Sequence, residues 1–255
     1  MAIFFITGHG VTRISIELVP RSQDVLLSEA KTIQTLCPDI CTINIPDLLQ
    51  FSLRSYDACS KVSAFFSSCI PHIRAIDINP LAPLPGHDRP ELKEVLVIKG
   101  DPPKNMQRRI YSHTSEAIIR RYKKELPHLK VYAAFDPYRR SPKEEMAAIQ
   151  RKEDAGADGF FTQPFFDTHY LKTCMDWMEG KNVFWGICPV IGENSQAYWE
   201  NTNNVIFPSG FLPTMEANIS LGQAIMNTLT AHNANTYIMP VRVKLETYLS
   251  KLLAV

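Results

Sequence analysis

Residues 130–163 read KVYAAFDPYRRSPKEEMAAIQRKEDAGADGFFTQ. An apolar run, Lys130–Phe135, leads into apolar residues at helical spacing over Pro142–Ala155, and a second apolar run follows at Gly159–Gln163. Runs rich in Val, Ile and Phe with no polar alternation suit strands buried on both faces. The same alternation continues in both directions. Strands are expected at Ile14–Leu18, Cys41–Ile45, His72–Asp77, Val95–Lys99, Val183–Cys188 and Thr236–Val241. Helices are expected at Asp24–Leu36, Leu53–Phe65, Ser112–Glu125, Thr168–Gly180, Ser195–Asn201 and Ser220–His232. Such alternation builds either an open doubly wound sheet or a closed barrel. Eight units in 255 residues favour an α/β fold of the (β/α)8 TIM barrel type, as a single domain over residues 1–255.

Two stretches break the pattern. Residues 79–90 hold four prolines, so the third crossover helix is expected to be short, near Pro90–Glu94. Residues 204–216 mix an apolar run with Pro208, Gly210 and Pro213 and read as an irregular connection.

Charge narrows the partners. Lys and Arg number 27 against 26 Asp and Glu, which leaves no basic footprint for nucleic acid and points to small molecules. The apolar patch Ala2–Ile6 has no basic flank or cleavage site, so a signal peptide is not expected; an added strand or a packed arm is. No apolar run reaches the ~18–20 residues of a membrane helix. The six cysteines are scattered, with no C-x-x-C pair, so they read as reduced thiols of a cytoplasmic protein with no metal site. Nothing follows Val255 in this sequence, so no appended regulatory domain is expected, and the oligomeric state stays open.

In such a barrel the active site lies where strands end at their carboxyl side. Glu17, Asp47, His72, Asp77, Asp101, Asp136, Gln163 and Arg242 stand at those places. A carboxylate such as Glu17 within an apolar strand is either raised in pKa and fit for general acid work or held in a structural ion pair. Gly100-Asp101-Pro102-Pro103 suits close backbone approach to a ligand and equally suits a plain βα turn. Gln163 could bind both edges of a heterocycle or be a satisfied core amide. For Phe160, Phe161, Phe165 and Phe166, packing is the simpler role.

Several of these pieces resemble methylenetetrahydrofolate reductase. Ile14-Ser15-Ile16-Glu17-Leu18-Val19-Pro20 is similar to that family's Ser-Phe-Glu-Phe-Phe-Pro, Pro71-His72-Ile73-Arg74-Ala75-Ile76-Asp77 to Pro-His-Leu-Thr-Cys-x-Asp, and Leu96-Val97-Ile98-Lys99-Gly100-Asp101 to Leu-Arg-Gly-Asp. The closest likeness is Arg151–Asp167, which resembles Lys-x-Asp-Ala-Gly-Ala-x-x-x-Ile-Thr-Gln-x-Phe-Phe-Asp. The resemblance implies reduction of 5,10-methylenetetrahydrofolate to 5-methyltetrahydrofolate, with FAD as cofactor and NADH or NADPH as nicotinamide donor. By matched position, Glu17 is the acid that opens the folate ring and Asp101 stabilises the resulting cation. Gln163, Gln196 and Arg242 contact folate. His72, Lys99, Gly100, Asp101, Tyr111, Ser112, Arg151 and Lys152 face the flavin.

The chain also departs from the pattern. The family's Gly-containing turn after the second strand becomes Asn44-Ile45-Pro46-Asp47-Leu48, and Tyr-Pro-Glu-x-His-Pro after the fifth becomes Phe135-Asp136-Pro137-Tyr138-Arg139-Arg140. A flavin histidine is thereby lost, with Tyr138 or Arg139 as its replacement. The alternatives are a flavin-independent folate enzyme moving a one-carbon or methyl group, and a non-catalytic folate-binding subunit.

Overall fold

The computed structural model describes residues 12–103 and 109–254. Eight parallel strands close into a barrel in sequence order. They are β1 Ile14–Glu17, β2 Thr42–Ile45, β3 Ser68–Arg74, β4 Glu94–Ile98, β5 Lys130–Phe135, β6 Gly159–Pro164, β7 Val183–Ile187 and β8 Asn235–Ile238. The helices are α1 Gln23–Leu36, α2 Ser55–Val62, α3 Ser115–Glu125, α4 Pro142–Asp154, α5 Thr168–Trp177, α6 Glu193–Asn203, α7 Met215–Ala231 and α8 Leu245–Leu252. Side chains that accept from backbone N–H groups of the first turn fix several helix starts. Ser22 begins α1, Ser141 forms a reciprocal capping box with Glu144 ahead of Pro142 in α4, and Asp167 begins α5.

Strand periodicity splits the core into two layers. In β4, Val95 and Val97 face the helices among Ile16, Ile33, Ile118 and Tyr122, while Leu96 points into the barrel with Ile70, Tyr132, Phe161, Phe184 and Tyr237. Phe161 and Phe184 stack at 4.3 Å between ring centroids, and Tyr132 and Tyr237 each meet Phe161 edge-on at 5.2 Å. This plug fills the barrel, so ligands are left its two ends. At the amino end, Arg13 grips Glu94 through both terminal guanidinium nitrogens, 2.7 and 2.8 Å. Burial pushes the Glu94 carboxyl up, but hydrogen bonds from Arg13 and Ser68 outweigh it and hold the group below its usual range.

Several elements differ from expectation. β3 begins four residues early, running through Pro71, which offers no ladder donor, and Ala75–Asp77 is a 3-10 turn. The short third crossover helix at Pro90–Glu94 does not form; residues 78–93 are a series of turns, and Glu94 joins β4. Side chains of α3 hold those turns: Arg121 donates to the Asn79 and Ala82 carbonyls, and Tyr122 to that of Pro85. α7 starts five residues before Ser220, capped by Thr214, and α8 had no predicted counterpart. The reading of six reduced cysteines fails at one pair, since Cys59 and Cys69 form a disulfide between α2 and β3. The N-terminal patch Ala2–Ile6 lies outside the described residues. Among the described residues no helix is long and apolar enough to cross a membrane.

Candidate active site at the carboxyl end of the barrel

Inward positions at the ends of β1, β2, β3, β7 and β8 carry polar groups where the apolar plug stops. Glu17 ends β1, and the Tyr237 hydroxyl of the adjoining β8 donates to its Oε2. Burial drives the Glu17 carboxyl up to about 7, against a smaller lowering by that hydrogen bond. Cys188, at the end of β7, completes this corner; burial raises its thiol, and the Glu17 charge adds to the effect. Glu17 has no cationic partner, so of the two roles open from its position the ion pair is absent among the described residues.

A second chain of contacts runs across β1, β2 and β3. Ser15 donates to Asn44 Oδ1, and Asn44 Nδ2 lies 3.2 Å from His72 Nε2. Burial lowers the His72 pKa to about 3, so the ring is neutral. With the Asn44 amide donating, Nε2 is the bare nitrogen and the proton sits on Nδ1. His72 is therefore a positioned core histidine.

The third group is charged. Arg54 pairs with Asp47 and, at 3.2 Å, with Asp77; Arg74 Nε pairs with Asp77 at 3.1 Å and its Nη2 donates to the Asp101 carbonyl. Two strand-end acids, Asp47 and Asp77, are thus spent on internal ion pairs. Gly100 sits at φ +81, a conformation that favours glycine.

The remaining predicted residues distribute as follows. Gln163, in β6, is half-buried, with its backbone against Gly186. Gln196 lies in the second turn of α6, bonded to Glu200 at 3.0 Å, and Arg242 is exposed beyond β8 at φ +56. Lys99, Asp101, Ser112 and Arg151 are exposed, while Tyr111 stacks with His113 and lies under the Arg109 guanidinium. Lys152 turns away, donating to the Ala134 carbonyl at 2.6 Å and lying 3.8 Å from Glu145. Tyr138 is engaged with the Pro164 carbonyl and packed on Phe165, and Arg139 is exposed. Among the described residues one flavin-side cation is locked on α4 and the space beside Gly100 is filled by Arg74, so no open cradle forms at these two positions. Among the described residues no cluster of His, Cys, Asp or Glu could hold a metal ion.

Tyr237, Asn44, Arg74, Arg54 and Cys188 were missed from the sequence. Period-two alternation marks Asn44 and Tyr237 as inward, like Glu17.

The family model of methylenetetrahydrofolate reductase matches residues 84–236, more than half of the chain. No curated protein sequence matches it. Among solved structures, an uncharacterised protein from Clostridium thermocellum that binds two copies of 5-methyl-5,6,7,8-tetrahydrofolic acid is similar at TM-score 0.65 and 14% identity, covering 95% of this chain and 94% of that one. A truncated 3-deoxy-D-arabino-heptulosonate 7-phosphate synthase from Thermotoga maritima gives TM-score 0.57 at 7% identity, covering 98% and 89%. An oxaloacetate acetylhydrolase gives 0.55 at 10%, covering 90% and 75%. At these identities the structural likeness bears on the fold alone.

Proposed function

Since the chain belongs to the methylenetetrahydrofolate reductase family, we propose that it binds a reduced folate at the carboxyl end of its barrel and that Glu17 is the acid acting on it. The observation that carries this reading is a carboxyl raised to about 7, held by one hydroxyl donor at the end of β1. Such a group keeps its proton near neutral pH and gives it up readily to a basic nitrogen. Proton transfer to the bridging nitrogen of 5,10-methylenetetrahydrofolate breaks one C–N bond and leaves an iminium cation. The exposed Asp101 carboxylate supplies negative charge for that cation, and the Gln163 amide offers a donor and an acceptor to the pterin. Arg242, exposed beyond β8, is the cation suited to the carboxylates of the glutamate tail, and Gln196 on α6 offers a further amide to the folate. A solved protein of similar fold binds 5-methyl-5,6,7,8-tetrahydrofolic acid, which supports a reduced folate as the ligand class.

Completing the reduction to 5-methyltetrahydrofolate takes a hydride, for which NADH or NADPH is the donor. In the family FAD carries that hydride; among this chain's described flavin-side residues, Lys152 and the space beside Gly100 are taken up by internal contacts. The flavin-dependent reading has in its favour the Lys99-Gly100-Asp101 turn, which keeps the family's Gly-Asp with a lysine for its arginine and holds Gly100 at positive φ.

Titration with 5-methyltetrahydrofolate, followed by intrinsic fluorescence, tests the binding. Saturable binding that Gln163→Ala weakens by about tenfold, with the fold intact, is expected. Absence of binding by the wild-type chain would sink the reading.

A further inference from the structure

We propose that Arg74 is the residue that excludes the flavin ring from this barrel. The matched motif has a threonine where Pro71-His72-Ile73-Arg74 carries an arginine, so a short side chain at the end of β3 has become a long cation. Gly100 makes room for it. A Cβ added at Gly100 would lie 3.1 Å from both Cβ and Cζ of Arg74 and 3.3 Å from its Cγ. The close approach that a glycine permits is therefore taken by the chain's own side chain, and no flat ring can share that space.

Arg74 is also anchored. It is 8% exposed, paired with Asp77, and bonded to the carbonyl of Asp101, one of the positions matched to flavin. Asp77 is shared with Arg54, which holds Asp47 in turn, so two cations and two carboxylates neutralise one another between β2 and β3. Asp77 Oδ1 is already buried without a hydrogen-bond partner. Swinging Arg74 aside would strip the other oxygen of one of its two cations and leave the Asp101 carbonyl unpaired, which opposes opening by an incoming ring. Of the two cations matched to the flavin on α4, Lys152 is likewise engaged elsewhere.

The proposal goes beyond the folate reading and does not depend on it. Its test is FAD binding itself, read by quenching of flavin fluorescence and by absorbance after desalting, for wild type, Arg74→Thr and Arg74→Ala. Wild type is expected to elute without flavin, and either variant to raise FAD affinity by about tenfold or more. Stoichiometric flavin on the wild-type chain overturns the proposal whatever the variants do. Folded variants that bind FAD no more tightly than wild type overturn the assignment to Arg74. A parallel 5-methyltetrahydrofolate titration of the wild type keeps the two readings apart, since its failure removes the folate reading and leaves the flavin result standing.

Discussion

Glu17→Gln should uncouple the proton chemistry from the fold in a way that pH makes visible. The folded carboxyl titrates near 7 against 4.5 for an unburdened one. Below 4.5 both the folded and unfolded chains hold the proton, and the neutral group contributes its full share to stability. Between 4.5 and 7 the unfolded chain has lost its proton while the folded chain keeps it, so stability falls as pH rises. Above 7 the fold must hold a buried charge, and the accumulated loss is about 3 kcal/mol. Glutamine is nearly isosteric, still accepts from Tyr237, and has nothing to titrate. The stability difference between variant and wild type should therefore shift by about 3 kcal/mol in favour of the variant between pH 4.5 and 8. Urea unfolding of both proteins at four pH values measures this, and every other titrating group cancels in the difference. The same variant should bind folate and fail to turn it over. Parallel stability curves across that range would refute the claim that Glu17 is a desolvated acid, and with it the reason for giving it the proton.

Tyr237→Phe removes the hydrogen bond that partly lowers Glu17, so the pH profile of folate turnover should move to higher pH; an unmoved profile would count against the pair acting together. Phe161→Ala cuts into the stacked plug and should destabilise the barrel by about 3–5 kcal/mol in chemical unfolding. Reducing Cys59–Cys69, which closes a loop of sequence separation 10, should lower stability by about 3 kcal/mol, measured with and without reductant.

Much of this was legible in the residues. β1, β2 and β4 to β8 fall where short apolar runs were read, because a strand buried on both faces leaves a local, contiguous signal. β3 was misplaced because Pro71 argues locally against a strand, whereas its neighbours Asn44, Ile45 and Leu96 to Ile98 supply pairing that no single segment reveals. The short helix at Pro90–Glu94 failed for a similar reason: Arg13, 81 residues away, draws Glu94 into the barrel floor.

The site divides along the same line. Alternating strand and helix was enough to select the barrel, and polar residues ending most of the strands, Glu17, Asp101 and Gln163 among them, mark its mouth, since strand ends are set by chain order. Which acids remain available is a matter of partners brought from other strands. Tyr237 reaches Glu17 across 220 residues, and Arg54 and Arg74 consume Asp47 and Asp77. His72 is neutral because the closed barrel dries it. Sequence determined which groups stand at the mouth; only the folded barrel decided their charge and their company, because desolvation and pairing depend on distance through space and not along the chain.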